Sequence, residues 1–333
     1  MAFDPPEVPA GLTPHEVIYR EGHTSVLRYD APPEWKGKAR PPVLFVYALI
    51  NKPYIMDLQP GLSVVETLLR GGLDVYLVDW GTPTELDASL TVDDYVNGIV
   101  DRCVNAVRKT SGKDQIGVLG YCMGGSFMAM YTALHPEKVA RLALLAAGID
   151  FDVDGSFLNV WAKAPGFDPV KIGSTFGMVP PEFFNLAFDN LDPFKNSYQK
   201  YRELILHVED SDFVANFLRM EYWNRDGIPM PGPTYGEFVR NGYQENRLVR
   251  GTWELGGRRV QLEKITMPIA TITGTQDNII PAESTNRILD LVRSQEKARF
   301  QQESGHIGLS VSRRAHRELW PRVAEWFRKT PAK

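Results

Sequence analysis

Apolar residues along this chain fall into two alternating rhythms. Short unbroken runs at Val43–Val46, Asp74–Val78, Ile116–Leu119 and Val139–Ala146 have the length of buried strands rather than of helices. Between them the apolar positions recur at helical spacing. Val96, Ile99, Val100, Cys103 and Val107 share one face of a helix that Thr91-Val92-Asp93-Asp94 would cap. Ser63-Val64-Val65-Glu66 reads as a capping box opening an earlier helix, and Gly71-Gly72 as its end. A third helix is expected from Gly124 to Leu134. Strand and helix in strict alternation predict a mostly parallel sheet with helices on both faces.

The rhythm breaks near Phe151 and resumes near Ile265. It then gives a strand at Ile269–Thr273, a helix at Ala282–Val292, a strand at Ala298–Gln301 and a last helix at Arg313–Arg328. The interruption is proline-bearing and aromatic: Phe151–Arg250 holds 18 of the aromatic residues, half of the total in under a third of the chain. The simplest layout has three parts: an N-terminal extension with a hairpin (1–40), an α/β core (41–150 and 258–333), and an inserted cap (151–257) over one end of the sheet.

With 333 residues the chain can bury a full core, at about 75% of its extended surface. A net charge of −4, with no long basic run, gives no support for nucleic acid as a partner. The longest apolar runs are far below the roughly 20 residues of a membrane span, so no transmembrane segment is expected. Met1–Gly11 lacks the basic-then-apolar order of a signal peptide. Two cysteines exclude a disulfide framework and fit a reducing compartment, so a cytoplasmic protein is expected.

The chemistry concentrates at Gly120-Tyr121-Cys122-Met123-Gly124-Gly125, where a strand passes into a helix. This is the nucleophile elbow of α/β-hydrolase folds, with Cys122 in place of the usual serine. The glycines allow a turn too tight for side chains. The following helix aims its N–H groups at the sulfur, an arrangement that favours a charged sulfur. The partners follow in the order this fold requires. Asp277 lies just after the strand Ile269–Thr273, and His306 between the last strand and the last helix. Each taken alone has a bland reading, a turn aspartate or a surface histidine; order and location together predict a Cys122-His306-Asp277 triad. The amide of Met123, and one near Ile50 in the loop after the first core strand, are expected to form an oxyanion hole. His15, His23, His135, His207 and His316 show no ligand spacing, so no metal is expected, and Cys103 reads as core.

These residues carry a resemblance to polyhydroxyalkanoate (PHA) synthases. The Cys122 box is similar to that family's lipase-like box. Val46–Tyr54, Leu73–Gly81, Asn216–Glu221, Tyr243–Asn246 and Ser304–Gly308 resemble its other motifs, so the likeness extends over roughly 40–328. A nucleophile already at position 122 resembles the short catalytic subunit of class III, or of class IV, rather than the longer classes. One departure is Asn278, where many synthases have histidine after the catalytic aspartate.

The resemblance implies polymerisation of (R)-3-hydroxyacyl-CoA, foremost 3-hydroxybutyryl-CoA, through an acyl-Cys122, with CoA as leaving group and no cofactor. It also implies a homodimer, a small helical second subunit, and a location at PHA granules against the growing polymer. The residues favour acyl transfer: a thiol attacking a thioester yields another thioester, which stays activated. Two alternatives stand beside this reading: a thioesterase or esterase with the same triad, and a catalytically quiet granule-binding subunit. Phe183, Phe184, Phe188, Phe213, Phe217, Tyr222 and Trp223 offer apolar area for a lid over Cys122, a dimer contact or a polymer channel.

Overall fold

The computed structural model describes residues 10–191 and 198–329, so most of the Met1–Gly11 segment lies outside it. Among these residues the strands of the main sheet are β1 (His15–Glu21), β2 (Thr24–Tyr29), β3 (Pro42–Val46), β4 (Asp74–Asp79), β5 (Ile116–Tyr121), β6 (Val139–Leu145), β7 (Ile269–Gly274) and β8 (Lys297–Gln302). They form one eight-stranded sheet in the order β1-β2-β4-β3-β5-β6-β7-β8. From β4 to β8 every pairing is parallel; β2 is antiparallel to β4, and β1 to β2. The expected N-terminal hairpin is this β1–β2 edge. β3 and β5, the central strands, are buried throughout, as near-continuous apolar runs in a parallel sheet should be.

Helices α1 (Val64–Arg70), α2 (Asp101–Ser111) and α3 (Met123–Leu134) connect the first strands. The Ser63 cap is half of the expected box. Ser63 Oγ accepts from the Glu66 amide at 3.0 Å, but the Glu66 carboxylate accepts from the Gly61 amide, which the preceding turn brings closer. Thr91 and Asp94 do cap reciprocally: Asp94 Oδ2 accepts from the Thr91 amide at 2.8 Å, and Thr91 Oγ1 from the Asp94 amide at 3.3 Å. The helix they open runs as a wide π-turn through Val100 before tightening into α2.

Between β6 and β7 lie α4 (Phe157–Ala162), α5 (Pro169–Phe176), α6 (Pro181–Asp189), α7 (Lys200–Leu206), α8 (Ser211–Arg225) and α9 (Gly232–Phe238). This segment is tied to the sheet by its polar groups. Asn246 accepts from the Phe151 amide at 3.1 Å and donates to Asp150 at 2.8 Å, joining the segment's two ends. Trp223 Nε1 donates to the Lys52 carbonyl at 2.8 Å, and the Ile228 amide to the Ile50 carbonyl at 2.8 Å.

After β7, the helix expected at Ala282–Val292 is broken into α10 (Ala282–Asn286) and α11 (Ile288–Leu291), with Val292 extended. The short α12 (Gly308–Val311) follows β8. The last helix starts as a π-turn at Ala315 and continues as α13 (Trp320–Arg328). No helix among the described residues is long and apolar enough to cross a membrane.

Candidate active site

The site is set by how β5 turns into α3. Cys122 occupies the junction with φ 54° and ψ −122°, a region that L-residues rarely adopt and that costs about 1–3 kcal/mol. The turn is possible only because its neighbours lack side chains. A Cβ on Gly124 would lie 2.4 Å from the Val46 carbonyl oxygen and 2.5 Å from that of Tyr47; one on Gly120 would lie 2.5 Å from Gly125 Cα. The Cys122 amide donates to the Leu145 carbonyl at 2.9 Å, which locks the elbow to β6. Cys122 is partly exposed, whereas Cys103 is buried on α2 and burial pushes its thiol up to about 12. The one sulfur is available for chemistry and the other is not.

Asp277 and His306 come together at the carboxyl ends of β7 and β8. His306 Nδ1 lies 2.7 Å from Asp277 Oδ2, and both side chains are nearly removed from solvent. The other carboxylate oxygen, Oδ1, accepts from the amides of Ile279 and Ile280, both at 2.9 Å. Asp277 is therefore held from both sides. With Nδ1 donating to the carboxylate, Nε2 is left for Cys122. The two loops are also joined by backbone: the Gln276 amide donates to the Ser304 carbonyl at 3.0 Å. Tyr121 stacks against the imidazole at 5.0 Å between ring centres, and its hydroxyl donates to the His306 carbonyl at 3.2 Å.

Burial alone would lower the His306 pKa. The Asp277 carboxylate and Cys122, both as charges and as hydrogen-bonding partners, outweigh it and raise the ring to about 10. Charge can thus sit on this ring, facing the sulfur, well above the ordinary histidine range.

Two cavities meet at Cys122. One, of about 380 Å³, is lined by His306 and, from the inserted segment, by Lys200, Asn216, Glu221 and Trp223 among others. The second, of about 170 Å³, is almost wholly apolar, with Phe151, Trp161, Phe183, Phe184 and Tyr243 in its wall. Ile50, Phe188 and Ile279 border both. Of the aromatic residues singled out by composition, Phe213, Phe217 and Trp223 line the first cavity, Phe183 and Phe184 the second, and Phe188 both. Tyr222 lines neither.

Met123 is the first residue of α3, where the helix leaves backbone N–H groups without intrahelical acceptors. Ile50, in the loop after β3, lies on the border of both cavities, as Cys122 does. The other histidines lie elsewhere. His15 and His23 are on the β1–β2 hairpin, and His207 ends α7. His135 packs on Tyr131 at the end of α3, and His316 hydrogen-bonds the Ser310 carbonyl at 2.7 Å.

Sequence reasoning did not find the Lys200–Glu221 pair, 2.9 Å apart in the cavity wall, with Glu221 buried. Nor did it find the Gln59–Asn216–Arg219 chain that joins α8 to the core. Asn216, Arg219 and Glu221 lie in the stretch that resembles a family motif, but their partners Gln59 and Lys200 are distant in sequence and meet them only when the inserted helices fold over the sheet.

A model of the alpha/beta hydrolase fold matches residues 41–311. Solved structures share the architecture at low identity. The monoacylglycerol lipase of Paleococcus ferrophilus aligns with TM-score 0.53 and 16% identity over 91% of this chain and 98% of that one. The enol-lactonase of Burkholderia xenovorans LB400 aligns with TM-score 0.52 and 15% identity over 94% and 99%. With its elbow at the end of β5, the chain is a member of the α/β-hydrolase class. Sequence relatives narrow this. The poly(3-hydroxyalkanoate) polymerase subunit PhaC of Haloferax mediterranei is 48% identical over 96% of this chain and 65% of its own length. The subunits of the same name from Allochromatium vinosum and Synechocystis sp. are 38% and 37% identical, over 96% of this chain and 90% and 86% of theirs. The chain belongs to the poly(3-hydroxyalkanoate) polymerase family, a family of acyltransferase enzymes.

Proposed function

We propose that this chain polymerises (R)-3-hydroxyacyl groups from CoA thioesters, with 3-hydroxybutyryl-CoA as the foremost substrate. The observation that carries the reading is a cysteine, rather than a serine, on the elbow, facing an imidazole that a doubly anchored aspartate orients. The Cys122 sulfur attacks the thioester carbonyl. The bond to CoA breaks, and the proton originally on Cys122 passes through His306 to the departing CoA sulfur. The Met123 amide and an amide at Ile50 hold the oxyanion as it forms. In chain growth His306 takes the proton of a 3-hydroxyl, whose oxygen attacks an acyl thioester; the ester bond forms as the carbon–sulfur bond breaks, and the proton passes from His306 to the departing sulfur. Asp277 keeps the imidazole in the Nδ1–H tautomer and offsets its charge. The exchange needs no metal or cofactor.

The segment 151–257 acts as the cap in this reading. Its aromatic wall keeps water from the acyl-enzyme, which separates polymerisation from hydrolysis. Its outer face leaves Phe157, Val160, Ile205, Leu206 and Val208 exposed, apolar area suited to a second copy, a small helical subunit or the polymer granule.

The test is a product assay with (R)-3-hydroxybutyryl-CoA, following released CoA with a thiol reagent and the acyl product by mass spectrometry. Polyester formation that disappears in Cys122→Ala is the expected result. CoA release with only free 3-hydroxybutyrate would make the chain a thioesterase. Release undiminished in Cys122→Ala would overturn the nucleophile.

A further inference from the structure

A second polar cleft, of about 790 Å³, lies between the start of α8 and the residues that follow α12. Phe213 and Asn216 belong to its wall and also to the wall of the larger cavity at Cys122, so the two spaces adjoin. Its distinctive side chains are guanidinium groups. Arg219 donates from Nη1 to Gln59 Oε1 at 2.9 Å, and Gln59 in turn donates to Asn216 Oδ1 at 3.2 Å. That chain fixes the Arg219 fork in place. Its Nε is nevertheless buried, with no hydrogen-bond partner among the described residues. A buried donor left unmatched is costly and is normally satisfied by something. Arg313 is exposed on the opposite wall, and Arg317 beside it pairs with Glu318 at 2.7 Å.

We propose that this cleft holds the phosphorylated adenosine end of the CoA thioester, with Arg219 and Arg313 as phosphate ligands. The inference rests on the reading above that the acyl donor is a CoA thioester. It adds where the nucleotide sits. CoA is a long, linear molecule with its thioester at one end and its phosphates at the other. With the thioester carbonyl at Cys122, the pantetheine arm occupies the larger cavity and passes Phe213 and Asn216, and the phosphates emerge where the arginines are. Planar guanidinium forks match phosphate oxygens in pairs. A cleft of this size falls in the range of ligand pockets, about 300–1,000 Å³. Two carboxylates share the rim. Asp210 Oδ1 already accepts from the amides of Asp212 and Phe213 at 3.0 Å, and Asp212 is exposed. The phosphates therefore lie on the arginine side.

The experiment compares initial rates on 3-hydroxybutyryl-CoA and on 3-hydroxybutyryl-pantetheine, which lacks the nucleotide, in Arg219→Gln, Arg313→Gln and Asp212→Asn, with binding of 3′-phospho-ADP followed by calorimetry. The expected result is a KM for the CoA thioester raised about tenfold in Arg219→Gln and severalfold in Arg313→Gln, with kcat held. Asp212→Asn lowers that KM. Nucleotide binding weakens in both arginine variants, and the pantetheine thioester shows no such change. Equal losses on both thioesters, or an unmoved KM in Arg313→Gln, which is too exposed to threaten the fold, would overturn the proposal. A product assay yielding only free hydroxy acid would sink the polymerase reading and leave this KM contrast intact, so the two can fail separately.

Discussion

At the scale of the residue, the most constrained group is Asp277. One oxygen accepts two amides and the other accepts from His306, so both faces of the carboxylate demand an acceptor. Asp277→Asn cannot satisfy both. If its carbonyl stays on the Ile279 and Ile280 amides, its NH₂ meets His306 Nδ1 and forces the Nε2–H tautomer, which presents a donor to Cys122. CoA release should fall by about 10³–10⁴, and a loss of under tenfold would show that the tautomer is not what Asp277 supplies. The same contacts set a pH dependence. Because the folded His306 ring holds its proton to about 10 against an ordinary 6.5, the stability drawn from the charged ring is complete below about pH 6.5 and is lost as pH rises towards 10. The melting temperature of the native chain should therefore lose ground to His306→Gln, which cannot titrate, across that window. A constant difference between the two would refute the shift.

At the scale of the element, the elbow is a strand-to-helix junction that works only while α3 stays pressed against β3. Gly124 is where the two backbones touch. Gly124→Ala places a methyl 2.4 Å from the Val46 carbonyl, and neither partner can yield, since both are backbone in buried elements. Relieving the clash moves the start of α3, and with it the Met123 amide and the Cys122 sulfur. The variant should melt lower by a shift equivalent to about 1–3 kcal/mol and lose CoA release more than stability. Wild-type rates in a folded Gly124→Ala would mean that the position of α3 is not critical to the chemistry. This element was legible in the sequence because its constraints are local: glycine spacing, an apolar run of strand length before it and a mostly apolar run of helix length after it. The loops that carry Asp277 and His306 were legible because each follows a strand of the periodic core. The split at Arg287 between α10 and α11 was not, because periodicity continues through it and only tertiary packing ends the first helix. The Glu66 cap was misjudged for a similar reason, since a turn outside the helix supplied the nearer donor.

At the scale of the whole molecule, the function depends on what the inserted helices do above the sheet, and here the sequence showed composition but not arrangement. Half of the aromatic residues could be assigned to one segment; their division between two cavities could not, because it depends on how α6, α8 and α9 pack against one another. Phe188 on α6 is the side chain common to both walls, together with Ile50, Cys122 and Ile279. It stands between a cavity with charged and amide groups and one that is nearly all apolar. Water entering with a CoA thioester reaches the polar side; the apolar side offers it few hydrogen-bonding partners. Phe188→Ala joins the two spaces beside Cys122 and removes an apolar body that both walls share. Acyl transfer to Cys122 does not require that separation, so CoA release should stay within about twofold of the native rate while the share of acyl groups recovered as free 3-hydroxy acid rises severalfold. Phe188→Leu, which keeps most of the volume, should restore the native ratio of polyester to free acid. An unchanged ratio in Phe188→Ala, measured by mass spectrometry on the full product pool, would mean that water is excluded by something other than this wall.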